Sequence, residues 1–155
     1  MNSFDFPLIK SQFYNACLNA LSAKLIDLKN EVEQLRFSIA NDSKSSMGDK
    51  YETSREMMQQ EINRLEQQAS LTAQQVFNLK TVNLQKKYNV VEKGSLVETN
   101  IGLFFIAVSY GEIKVDQQAC VMISEFAPLS KLLLKKTVND KIELNKKQIE
   151  ISGIY

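Results

Sequence analysis

The residues of this chain best suited to chemistry sit in one polar stretch. Asp42, Asp49 and Glu52 are interleaved there with Lys44, Lys50 and Arg55. Carboxylates on a short loop can hold Mg²⁺, which takes one or two of them and keeps several waters. A plainer role is also open. Ser46-Met-Gly-Asp49 fits a capping box, and Asp49-Lys-Tyr-Glu52 offers an N-cap followed by an acid at the third helical position. Acids in a first helical turn also complement the helix dipole. Asp42 has no such local role and otherwise reads as a solvated acid.

Other chemistry is excluded by composition. The 155 residues contain no histidine, which removes His-based triads, His general bases and His metal sites. Cys17 and Cys120 are the only cysteines and stand far apart, so neither a zinc cluster nor a disulfide framework is available. A reduced, cytoplasmic protein is expected. Walker A, G-x-G-x-x-G and G-x-S-x-G motifs are missing, which argues against a self-contained enzyme. Nineteen basic and eighteen acidic residues leave a net charge of +1, too little for a global drive toward nucleic acid or anionic membrane. No stretch approaches the roughly 20 apolar residues of a membrane span, and Met1-Asn-Ser-Phe-Asp-Phe-Pro7 lacks the pattern of a signal peptide. The pairs Lys135-Lys136 and Lys146-Lys147 read as solvated turn charges.

The elements that must position the acids are legible in the spacing. Tyr14, Leu18, Leu21, Leu25, Leu28, Val32, Leu35 and Ile39 alternate steps of four and three, an a/d heptad seam. Met58, Ile62, Leu65, Ala69, Thr72, Val76 and Leu79 repeat it, more weakly. Pairing the seams antiparallel about residue 45 makes facing numbers sum to 90, with Leu28 opposite Ile62. An antiparallel helical hairpin is expected over residues 1–87, with its tip near 41–50. Leu71 and Phe77 lie off the seam and are free for other contacts. Between Leu8 and Lys93 the only Gly or Pro is Gly48; four Gly and one Pro follow in the last 62 residues.

From residue 88 the pattern turns to short apolar runs. Strands are expected at Ser95–Thr99, Leu103–Val108, Ala119–Ser124, Lys141–Leu144 and Gln148–Ser152, with a turn at Asn100-Ile-Gly102. Pro128–Leu134 suits a short helix with Pro in its first turn. The expected class is α+β: an N-terminal antiparallel coiled-coil hairpin, then a small antiparallel β domain with one short helix over 88–155.

With these residues in place, the chain resembles the Gre transcript cleavage factors of bacterial RNA polymerase. Ile123-Ser-Glu-Phe-Ala-Pro-Leu-Ser-Lys-Leu-Leu-Leu134 is similar to that family's Ile-Ser…Ser-Pro-Ile/Leu…Leu-Ile segment. Lys135-Lys-Thr-Val-Asn-Asp-Lys-Ile-Glu-Leu144 stands where the family has its Gly-Lys…Asp…Val segment. Tyr51-Glu-Thr-Ser-Arg-Glu56 resembles the family's Glu-Tyr-x-Ala-Ala-Arg/Lys-Glu. The resemblance implies an FKBP-like C-terminal domain that binds RNA polymerase, with Ala127, Pro128 and Leu129 as contacts, and a hairpin inserted in the secondary channel. Tyr51, just past the tip, reads as a packing residue that closes the hairpin end and is also a candidate partner contact; indirect contact with nascent RNA and a monomer are expected. The family's tip acids help hold a second Mg²⁺ that activates water to cleave backtracked RNA. Asp42 and Asp49 are then the candidate catalytic and metal-binding acids, with no cofactor bound by the chain alone. The family's acidic positions, counted ungapped from Tyr51, are Lys44 and Met47. A two-residue insertion brings Asp42 onto the family's Asp and leaves its Glu unmatched. The binding role therefore carries over better than the cleavage role.

Two further readings compete. One is an FKBP-like folding helper whose pocket Phe104, Phe105, Tyr110 and Phe126 would line. The other is a coiled-coil adaptor that dimerises through Leu71, Phe77 or the seam.

Overall fold

In the computed structural model, residues 4–42 and 48–155 are described, without side chains at 42 and 48–51. Helix α1 runs Phe6–Asp42 and α2 Gly48–Lys80. Strands β1 (Leu96–Thr99), β2 (Gly102–Ile106), β3 (Gly111–Val115) and β4 (Gln118–Ile123) follow. Helix α3 (Pro128–Leu133), β5 (Lys141–Leu144) and β6 (Lys147–Ile154) close the chain. The expected α+β class is observed. Two compact units result: Ala20–Val76 forms one, and the residues up to Asn19 together with Phe77–Tyr155 form the other.

Within the first unit both seams point inward. Leu28, Val32, Ile62 and Leu65 form a buried cluster, with Leu35, Ile39 and Ala69 packed on it. Thr72 is buried on the seam because its hydroxyl donates to Gln68 O in its own helix at 2.8 Å. Off the seam, Leu71 is exposed.

The facing register departs from the expected one. Arg36 pairs with Glu66 across the helices. Pairing about residue 45 puts residue 54 opposite Arg36, twelve positions and roughly 18 Å from Glu66 at 1.5 Å per residue. A slip of one heptad makes facing numbers sum to 97 and brings Arg36 within five positions of Glu66. Ala69, Leu65 and Ile62 then face Leu28, Val32 and Leu35. Such a slip leaves every seam residue on the seam, so heptad spacing alone does not distinguish the two registers.

In the second unit the sheet order is β3-β4-β2-β1-β6-β5. Pairings are antiparallel except β2 with β4, which is parallel and corrects the all-antiparallel expectation. The parallel pair arises because β3, not anticipated from sequence, takes the edge beside β4. β3 escapes notice because only Ile113 is buried, between the exposed charges of Glu112 and Lys114. Such charges suit an edge strand, where they discourage further pairing.

The sheet's turns follow from local chemistry. Asn145 and Lys146 both take positive φ, 52° and 66°, in the two-residue loop between β5 and β6. At the β1–β2 turn, Thr99 Oγ donates to Gly102 O at 2.8 Å. Val91, Val97, Ile106, Leu133, Ile142, Ile149 and Ile151 build the core. The start of α1 belongs to this unit. Asp5 caps it, accepting from Leu8 N at 3.2 Å. Its buried face is Lys10, Phe13 and Cys17, one position round from the expected Tyr14 and Leu18, which are half-buried.

Candidate functional site

The segment from Ser124 to Leu134 is fastened at one point. Ser130 Oγ, fully buried, donates to Ser124 O at 2.6 Å, and Ala127 N donates to the same oxygen at 3.1 Å. Phe126 N donates to Ser124 Oγ at 3.2 Å. Ala127 is extended (φ −62°, ψ 148°), as a residue before proline prefers. Pro128 then opens α3, where a missing N–H costs nothing. Leu133 is fully buried and Leu129 packs on the core, so α3 is held from below.

These constraints fix what the segment displays. Pro128 is exposed, while Ala127 and Leu129 are half-buried. Phe126 stands 72% exposed, the most exposed of the large apolar side chains among the described residues. An exposed aromatic beside a proline, on a loop already held by local hydrogen bonds, suits protein docking: little entropy remains to be lost on binding. Sequence reasoning named Ala127, Pro128 and Leu129 but not Phe126 as a docking residue. Its signal was the Ser two positions earlier, whose hydroxyl turns the chain outward.

The aromatics assigned to an isomerase pocket are not gathered into one. Phe105 is fully buried and Phe104 nearly so, whereas Tyr110 and Phe126 are exposed. Phe77, held in reserve for contacts, is also exposed. Neither thiol is a nucleophile at neutral pH, because burial pushes Cys17 up to about 11 and Cys120 up to about 12.

At the other candidate position, Asp42 is the last residue of α1, and Asp49 follows Gly48 at the start of α2. The side chains of Asp42, Asp49 and Tyr51 lie outside the described residues. Carboxylates are a donor type that Mg²⁺ accepts. The ion would supply Lewis-acid activation of water, with the remaining ligands coming from a partner. Among the described residues no cluster of three or more acids, cysteines or histidines is placed to hold a metal. No described helix is long and apolar enough to cross a membrane.

No protein-family model matches this chain, and no curated protein matches it. A solved structure described as that of the transcription factor Gfh1 is similar at 16% identity, over 90% of this chain and 94% of that one, with a TM-score of 0.34.

Proposed function

We propose that this chain is a Gre-like regulator of bacterial RNA polymerase. In this reading it docks through Phe126, Ala127, Pro128 and Leu129, inserts its hairpin in the secondary channel and acts on elongation or on cleavage of backtracked RNA. The observation that carries the reading is the pairing of two features in one chain: the rigid Ser124–Ser130 segment and the two-helix hairpin. The hairpin satisfies its apolar seam internally. Its arm from Ala20 to Asp42 is about 35 Å long at 1.5 Å per residue. The sequence resemblance of 123–144 and 51–56 supplies the partner's identity.

In this reading the chain's own residues bind and position, and the polymerase supplies the catalytic centre. Asp42 and Asp49 flank the segment 43–47 that would reach the active site, and Mg²⁺ would be held there only jointly with the polymerase. Lys44 between them offsets part of their negative charge, which favours occupancy of the channel over efficient cleavage.

The test is sedimentation of the protein with core RNA polymerase. Co-sedimentation of the wild type, lost in a Phe126→Asp/Pro128→Asp variant that melts normally, supports the reading. Equal binding by that variant, or no binding at all, rejects it.

A further inference from the structure

Just past α3, a lysine stands where glycine is favoured. Leu134 has φ −54° and ψ 136°, Lys135 has φ 67°, and Lys136 N donates to Leu133 O at 3.0 Å. These are the marks of a type II turn, whose third residue takes positive φ and is usually Gly or Asn. A lysine is disfavoured there because its Cβ crowds the backbone. The turn does not use that side chain to hold itself. Lys135 N donates to Val91 O at 2.7 Å, and Val91 N donates to Lys136 O at 2.9 Å. Both anchors are main-chain, and Lys135 is exposed.

Positive charge gathers around this turn. Residues 126–147 hold six lysines against two acids, in a chain whose net charge is +1. One of those acids, Asp140, accepts from Thr137 N at 2.7 Å and Thr137 Oγ at 3.1 Å, and Lys136 lies near it. Glu125, at the far end of the segment, is half-buried. None of the ion pairs among the described residues includes Lys131 or Lys135.

The same segment carries an apolar strip. Pro128, Lys131 and Leu132, spaced by three and four, share one face of α3 and are all exposed, while Ser130 and Leu133 are buried on the other. Phe126 stands exposed just before this face begins. Phe126, Pro128 and Leu132 thus offer an apolar centre, with Lys131 and Lys135 at its margin. An apolar centre with a charged rim is the pattern of a protein interface, whereas a nucleic-acid site lines its cations along a groove.

We propose that this face takes an acidic segment of a protein partner. Phe126, Pro128 and Leu132 pack on the segment's apolar side chains, and Lys131 and Lys135 meet its carboxylates. The proposal rests on the polymerase reading and adds to it the chemistry of the docking point, an acidic stretch of the polymerase surface. Complementary charge of this kind steers association and fixes specificity.

Binding of the full chain to immobilised core RNA polymerase, followed at about 50 and 200 mM KCl, tests it. Wild-type binding is expected to weaken at the higher salt. Lys131→Gln/Lys135→Gly is expected to bind about tenfold more weakly at the lower salt and to lose most of that salt dependence. Lys135→Gly alone is expected to melt no lower than wild type, since glycine relieves the positive φ, and to bind about threefold more weakly. It carries the test if the double variant melts early. Lys114→Gln, which removes a charge from edge strand β3, is expected to bind as wild type does. Unchanged binding by the Lys131 and Lys135 variants, or an equal loss in Lys114→Gln, overturns the proposal and leaves the polymerase reading standing. No wild-type binding at either salt overturns both. Binding of a single-stranded RNA of about 20 nucleotides that Lys131→Gln/Lys135→Gly abolishes assigns these lysines to nucleic acid and also overturns the proposal.

Discussion

Replacing Lys10 by methionine is expected to leave the fold as stable or make it more so, and to remove a specific pH dependence. Burial lowers the Lys10 pKa from 10.5 to about 8. The unfolded chain therefore binds more protons than the native one between those values, and stability rises with pH across that window. Below pH 8 both states are protonated and the native state carries the whole cost, roughly 3 kcal/mol at face value. The Tyr88 and Phe105 rings beside the ammonium and its hydrogen bond to Tyr155 O offset part of this, to roughly 1–2 kcal/mol.

Methionine fills a similar volume without the charge. The carbonyl it abandons, Tyr155 O, keeps its bond from Leu96 N at 2.8 Å. Lys10→Met is thus expected to gain about 1 kcal/mol at pH 7. That advantage should shrink by about half by pH 9. Cys17, Cys120, Tyr88 and Tyr155 all hold their protons longer in the native state, which lowers stability as pH rises past their ordinary values. They are common to both proteins and cancel in the difference. Urea unfolding of each protein at pH 7, 8 and 9 measures it. A variant less stable than wild type by more than about 1 kcal/mol at pH 7, with a gap constant in pH, would refute the reasoning.

Other outcomes follow from the same geometry. Leu65→Ala should cost about 2–4 kcal/mol, read by urea unfolding, because it empties the centre of the hairpin cluster. Ser130→Ala should cost about 1 kcal/mol and weaken polymerase binding, since it unfastens the Phe126 segment. In a background without Cys17 and Cys120, cysteines at Val32 and Leu65 should oxidise to a disulfide, while cysteines at Val32 and Met58 should not. The reverse pattern would restore the register centred on residue 45. Gly94→Ala should cost about 1–3 kcal/mol, because φ is +98° there and the methyl meets the Tyr88 phenol.

Much of the hairpin was legible because coiled-coil burial is written in spacing. Leu21, Leu28, Val32, Ile62, Leu65 and Leu79 are all buried where the heptads put them. The register was not legible, since a seven-residue slip preserves that pattern and cross-helix pairs such as Arg36 with Glu66 break the tie. The strand runs appeared within a residue or two, except β3, whose single buried side chain gives no periodic signal. Ala127, Pro128 and Leu129 were singled out from the sequence and Phe126 was not named with them, because exposure on a loop has no sequence period. Lys10 was not singled out from the sequence. Its place in the series Lys10, Phe13, Cys17, Leu21 was the available clue, a charge set on an apolar stripe.

The central claim is tested most directly on RNA polymerase stalled in a backtracked complex with 3′-labelled RNA and Mg²⁺. Adding this protein should change the rate at which short 3′ fragments appear, or displace a cleavage factor already bound. The Phe126→Asp/Pro128→Asp variant should do neither. If fragments depend on Asp42 or Asp49, the tip takes part in cleavage; if displacement occurs without fragments, the chain occupies the channel as a non-cleaving regulator. An unchanged cleavage rate together with no displacement would contradict the account.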